Sequence, residues 1–218
     1  MKVLIFGASG MVGTEVLHQT LEDERIEKVI STGRSQVNVT SPKLKQIVHD
    51  DFLNYQEIKD SLAESDVCFY CLGVYQNQVS KQDFWKITVD YLRALLSDLD
   101  KVNPSITFCL FSAQGASPNE RSLFRFGNAK GRAEKDLTNS AILEKYIFRP
   151  GFINPGRKVA FSGISLTAYQ FVYKIFPSLG IDAADLAKVM IQLNSSMPIN
   201  SRLSSIVVYI AYRASNRP

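Results

Sequence analysis

Short apolar runs alternate with amphipathic stretches along this chain. Residues 2–6 (KVLIF) read as a strand, and about 10–21 carry helical spacing. A second strand is predicted over 28–31, ending on Thr32-Gly33-Arg34, and a weaker third over 45–48. The stretch 55–65 (YQEIKDSLAES) reads as a helix, and 66–71 as a fourth strand running into Leu72-Gly73. A long helix fits 82–101, where Phe84, Ile87, Tyr91, Leu95 and Leu99 recur at spacings of three and four. A fifth strand covers 105–111, another helix includes 130–138, and a sixth strand over 145–148 closes on Arg149-Pro150-Gly151. Strands alternating with helices in this order predict an α/β fold with a doubly wound parallel sheet. No repeat, low-complexity segment or linker divides the chain, so residues 1–218 are expected to form one domain. Its last part, roughly 155–218, reads as a small substrate cap carrying a DAADLAKVM helix. The late apolar run 206–212 fits a last strand, a packed helix or a subunit contact.

Composition narrows the class. At 218 residues, 45% hydrophobic and 21% charged, the chain can bury a sizeable core. Its net charge of +4 is scattered without a basic block, which argues against a nucleic-acid partner. No apolar run resembles a secretory leader or is long enough to span a bilayer, so a cytoplasmic, reducing setting is expected. Cys68 and Cys71 match C-x-x-C. Residues three apart in a strand point to opposite faces, however, so packing accounts for these thiols, and Cys109, better than a disulfide or zinc site. His18 and His49 have no neighbouring ligands in sequence, and no metal is expected.

The chemistry begins at Gly7-Ala8-Ser9-Gly10-Met11-Val12-Gly13, spaced G-x-x-G-x-x-G between a strand and a helix. In that setting the first glycine makes the turn, the second admits a pyrophosphate, and the third lets helix and sheet approach. Amides near Ser9 to Val12 would face the phosphates at the positive end of the helix. An NAD-preferring site ends its second strand on a carboxylate that bonds the ribose hydroxyls. Here the strand ends Ser31-Thr32-Gly33-Arg34-Ser35, and a guanidinium suits a 2′-phosphate. NADP is therefore the expected cofactor.

With these residues in view, the chain resembles the short-chain dehydrogenase/reductase superfamily, and most closely the NADP-binding Tat-interacting-protein branch of its atypical class. The matching stretches are GASGMVG, TGR, HDDF, CFYCLGV, LFSAQGA, KGRAEKDL and FRPGFINPG, spanning about residues 2–156. The resemblance implies a Rossmann-type sheet and further roles by position. Asp51 and the backbone of Phe52 would meet the adenine, and Leu72 and Gly73 would lie along the ribose. Pro150, Gly151 and Phe152 would flank the nicotinamide.

Catalytic members of the superfamily pair a Ser after the fifth strand with a Tyr-x-x-x-Lys helix, whose spacing sets Tyr and Lys on one face. The lysine holds the ribose and lowers the phenol pKa, and the phenol exchanges a proton as hydride moves. This chain reads Phe126-Gly127-Asn128-Ala129-Lys130: the lysine is present and the phenol is missing. Ser112 stands at the serine position, with Gln114 nearby, and Tyr75 offers another phenol on the loop past Gly73. Two functions follow as expectations. One is an NADP-dependent oxidoreductase acting on a small carbonyl-type substrate through an altered proton donor, with Ser112 and Lys130 as catalytic residues. The other is a non-catalytic NADP(H)-sensing or scaffold protein. A homodimer or a protein partner stays open in both. A nucleotide-sugar epimerase shares the early motifs, but only about 60 residues follow Gly156, few for its substrate lobe.

Overall fold

The computed structural model describes residues 1–154, 180–192 and 207–213. Six parallel strands form the centre: β1 (Lys2–Phe6), β2 (Lys28–Gly33), β3 (Leu44–Val48), β4 (Val67–Tyr70), β5 (Thr107–Phe111) and β6 (Glu144–Pro150). After β7 (Phe152–Asn154) and β8 (Gly180–Asp182), which pair in parallel, β9 (Val207–Arg213) joins the main sheet antiparallel to β6. The order is β3-β2-β1-β4-β5-β6-β9. The chain runs outward from β1 through β2 to β3, then returns to place β4 on the other side of β1. Connections leave the carboxyl ends of β1 and β4 in opposite directions, which opens a crevice there.

The inner strands β1 and β4 are almost wholly apolar and buried because both of their faces are covered. In β1, Val3 and Ile5 belong to one buried cluster while Leu4 and Phe6 belong to the other. The first face is covered by α1 (Met11–Glu22) and α6 (Ala183–Gln192), with Val16, Leu17, Leu186 and Met190 fully buried. Gln19 Nε2 of α1 donates to Ala184 O at 2.8 Å, fixing the two helices side by side. The second face is covered by α2 (Lys59–Glu64), α4 (Tyr91–Val102) and α5 (Arg125–Asn139), which bury Leu62, Leu95, Leu99 and Leu137. Burying a leucine contributes roughly 1.5–3 kcal/mol, so these faces dominate the stability. Edge strand β3 is only partly covered, matching its weak pattern in the sequence.

Two expected helices differ in the structure. The predicted helix 82–101 is interrupted: α3 (Lys81–Trp85) passes through a π-helical stretch, Lys86–Asp90, into α4. A π turn inserts one residue and rotates the buried face. Phe84 is therefore followed inward by Val89 and Leu92, while Ile87 and Tyr91 are only half-buried. The predicted helix 55–65 opens as a 3₁₀ turn, Gln56–Ile58, before α2. The helix expected to include 130–138 is observed as Arg125–Asn139, and it also carries Phe126. Of the three readings of 206–212, the strand is the one observed, as β9. Within the expected C-terminal cap, the described pieces are β8, α6 and β9; α6 belongs to the α1 layer, and the rest of that region lies outside the described residues. Cys68 and Cys71 pack in different clusters on opposite faces of the sheet, as strand geometry requires.

Candidate functional site

The glycine loop follows β1 directly into the crevice. Gly7 adopts φ +80, and a Cβ there would stand 2.7 Å from the Cys71 carbonyl carbon and oxygen. A Cβ on Gly13 would meet Gly7 O at 2.1 Å. Both glycines are thus required by the packing of β1, β4 and α1 alone. Gly10 differs: its Cβ would lie 3.3 Å from Gly7 O, a contact that a small shift relieves, and the residue itself is exposed. Gly10 N donates to Gly7 O at 2.9 Å and Thr14 Oγ1 to Ala8 O at 3.1 Å, which pins the turn. Gly10 caps α1 without a side-chain acceptor, and the first turn holds no acidic residue. The amides of Met11, Val12 and Gly13 have no intrahelical acceptor, as in any first turn, and face the crevice end of the helix. Ser9 is exposed beside them.

Arg34 leaves the end of β2 exposed and forms no ion pair with any described residue. Asp51 stabilises its own turn, its Oδ1 accepting from Leu53 N at 3.2 Å and its carbonyl from Asn54 N at 3.0 Å. The Phe52 ring is buried, stacked on Tyr91 at 5.2 Å and edge-on to His49 at 5.5 Å. Only the backbone of Phe52 therefore remains for a ligand. Leu72 and Gly73 follow β4; a Cβ on Gly73 would meet no atom within 4 Å, so the fold itself does not demand glycine there. Pro150 ends β6 with its carbonyl accepting from Gln114 N at 2.9 Å, and Gln114 itself is exposed. Gly151 is half-buried beside it, and Phe152 opens β7, its side chain outside the described atoms.

At the ends of β5 and β6 the side chains are tied together. Ser112 is 1% exposed, and its hydroxyl donates to Glu134 Oε1 at 2.5 Å. Glu134, itself buried, also receives both arms of Arg149, with Nε at 2.8 Å from Oε1 and Nη2 on Oε2. The Ser112 proton is thereby committed to a carboxylate, leaving that oxygen able only to accept. Lys130 Nζ donates to Phe111 O at 3.2 Å and sits 5.7 Å from the centre of the Phe111 ring. The residue as a whole is half-buried, but its ammonium is enclosed. Burial pulls that ammonium down to about 8, against the opposing attraction of the Glu134 carboxylate. The Cys71 thiol is pushed up to about 12 by burial and stays protonated. Phe126, one turn before Lys130, packs against Phe84 with ring centres 6.4 Å apart. Tyr75 is 42% exposed on the loop past β4.

Sequence reasoning did not find Glu134 or the part played by Arg149. The available signal was spacing: Glu134 lies four residues beyond Lys130 on α5, so one helical face carries both.

Residues 3–130 match the NAD dependent epimerase/dehydratase family. The chain belongs to that family. The match covers the strands, loops and helices from β1 to Lys130, so membership rests on the nucleotide-binding half. Among its relatives is the rat protein HTATIP2, 27% identical over 153 residues, 69% of this chain and 62% of the rat protein. The Tat-interacting-protein resemblance holds, although the match spans less than two thirds of that relative. FMP52 of Debaryomyces hansenii, named as mitochondrial, is 25% identical over 207 residues, 89% of this chain and 88% of its own. That name does not support the expected cytoplasmic setting. Among the described residues no helix is long and apolar enough to cross a membrane. The Gre2 structure from Candida albicans, crystallised with NADPH, superposes with a TM-score of 0.69 at 16% identity, covering 90% of this chain and 75% of Gre2. At that identity the likeness establishes the Rossmann-type fold.

Proposed function

We propose that the chain binds NADP(H) along the carboxyl edge of the sheet and transfers hydride to or from a small carbonyl-type substrate. The observation that carries the cofactor choice is Arg34, exposed after β2 with no ion pair to a described residue and no carboxylate among residues 31–35. In this reading the loop Gly7–Gly13, through Ser9, Gly10, Met11 and Val12, holds the pyrophosphate, and Arg34 holds the 2′-phosphate. Asp51 and the Phe52 backbone border the adenine, Leu72, Gly73 and Lys130 the nicotinamide-side ribose, and Pro150, Gly151 and Phe152 the nicotinamide.

When bound, NADPH supplies the hydride. Phe126 has no proton to give, and the Ser112 hydroxyl donates to Glu134. Lys130 is then the proton source. As the substrate carbonyl becomes an alkoxide, an N–H bond of the ammonium breaks and an O–H bond forms, and the amine recovers its proton from water. An acid near pH 8 is well matched to that exchange. Ser112, accepting only, would orient a donor group of the substrate. The test is NADPH oxidation with a panel of small aldehydes by the wild type and by Phe126→Tyr. Positioned acid catalysis is worth about 10²–10⁴-fold, so restoring the phenol is expected to raise turnover by about 100-fold.

The second reading, a non-catalytic NADP(H)-sensing or scaffold protein, is favoured by the two departures together: no phenol at 126 and a serine proton already spent on Glu134. NADPH binding without turnover in either protein would select it.

A further inference from the structure

A cleft of about 830 Å³ lies between the loop after β4, α3 and the start of α5. Its charged walls are unbalanced. Lys81 and Arg125 both line it, both are exposed, and neither has an ion-pair or hydrogen-bond partner among the described residues. The first turn of α5, which Arg125 opens, holds no acidic side chain. The one carboxylate in the lining, Asp90, already has the Arg93 guanidinium at 3.3 Å. Two unpaired cations therefore line one cavity, and its one carboxylate is held by Arg93, which also binds Asp136 at 2.9 Å.

The remaining walls are aromatic and amide. Phe84 is buried at 5% exposure and Trp85 is 36% exposed, giving the cleft a flat apolar surface. Asn128 is held in place by its hydrogen bonds to the Ser122 backbone, at 2.9 and 3.0 Å. Ala129, the neighbour of Lys130, also lines the cleft, and Phe84 carries the ring against which Phe126 packs. The cavity thus adjoins the segment where the family phenol is missing.

We propose that this cleft binds the substrate, and that the substrate is a planar or apolar carbonyl compound bearing an oxyanion, held by Arg125 and Lys81 and laid against Trp85. This rests on the oxidoreductase reading for the word substrate, while the anion site stands on the cleft alone. A guanidinium pairs with carboxylate or phosphate through two parallel hydrogen bonds, and the ammonium adds a point charge. Both oxyanions share that chemistry.

Trp85 is the only tryptophan in the chain, so its fluorescence reports occupancy of the cleft without any need for turnover. Titration of the full chain with benzoate, phenyl phosphate and the neutral isostere benzamide separates charge from shape, and carboxylate from phosphate. A saturable emission change is expected for at least one of the two anions, with benzamide at least tenfold weaker. Arg125→Gln and Lys81→Gln are each expected to weaken the anion about tenfold or more, in keeping with a charge-assisted bond, while NADPH binding, measured separately, stays unchanged. Arg125→Lys is expected to recover part of the loss. Equal response to benzamide and the anions, absence of any saturable change, or unchanged anion affinity in both Gln variants would overturn the proposal. Anion binding in a chain that fails to bind NADPH would retain the cleft and remove the oxidoreductase reading; NADPH binding without an anion response would do the reverse.

Discussion

The two ends of the crevice are built from different materials. At the glycine-loop end the determinants are backbone: a turn at φ +80, a close approach of α1 to Gly7, and first-turn amides. Few side chains can disturb such a site, because its shape follows from which positions lack a Cβ. At the end beside β5 and β6 the determinants are side chains, and each behaves according to what it touches. Ser112 occupies the expected strand terminus, yet its proton goes to Glu134, and Lys130 is altered by enclosure more than by its neighbours. A motif made of missing atoms carries its geometry with it. A motif made of polar side chains does not.

The largest expected effect breaks the side-chain end. Glu134→Ala strips the Arg149 guanidinium of its buried carboxylate and frees the Ser112 hydroxyl. Removing one partner of a buried pair costs about 3–5 kcal/mol, and urea denaturation should show a loss in that range. A loss well below it would mean that the network is not what organises this end.

A smaller effect sharpens the backbone end by setting two glycines against each other. Gly13→Ala drives a Cβ to 2.1 Å from a carbonyl oxygen that cannot yield without moving β1. Overpacking of this kind costs about 1–3 kcal/mol, which calorimetry of the variant would register. Gly10→Ala, with its contact at 3.3 Å, is expected to change stability by less than about 1 kcal/mol while weakening NADPH binding, because its Cβ enters the phosphate space. Equal stability losses at the two positions would erase the distinction between a structural and a ligand-facing glycine.

The smallest effect concerns Lys130. Its folded-state value, about 8, lies below the ordinary 10.5, so the unfolded chain binds the proton more tightly. The cost of enclosing the ammonium is full below pH 8 and fades as pH rises from 8 to 10.5, so this group makes stability increase with pH across that window. Lys130→Met should stabilise the protein at pH 7 by on the order of 1 kcal/mol, and its advantage should shrink at more alkaline pH. An advantage that stays constant with pH would show that the ammonium is not enclosed as described.

Legibility in the sequence divides along the same line. The six parallel strands and the glycine turn can be read directly. Uninterrupted apolar runs between turn signals require a sheet covered on both faces, and G-x-x-G-x-x-G after a strand requires a tight turn into a helix. The spacing over 82–101 misleads at one point, since a π turn leaves no mark in a pattern of threes and fours; the buried face simply passes from Ile87 and Tyr91 to Val89 and Leu92. Phe126 and Lys130 can be placed by spacing, and the structure sets them one turn apart on α5. Glu134 and Arg149 cannot, because a buried ion pair between a helix and a strand terminus depends on a tertiary approach that neither local stretch encodes. The cleft at Lys81, Trp85 and Arg125 is hidden for the same reason: its walls come from segments some 40 residues apart.

The central claim is that this crevice holds a dinucleotide with a 2′-phosphate met by Arg34. Titration of NADPH and NADH against the wild type and Arg34→Ala tests it directly. The expected result is NADPH binding at least about tenfold tighter than NADH, as a charge-assisted contact provides, with the preference collapsing in the variant. NADH binding as tightly as NADPH to the wild type would contradict the account.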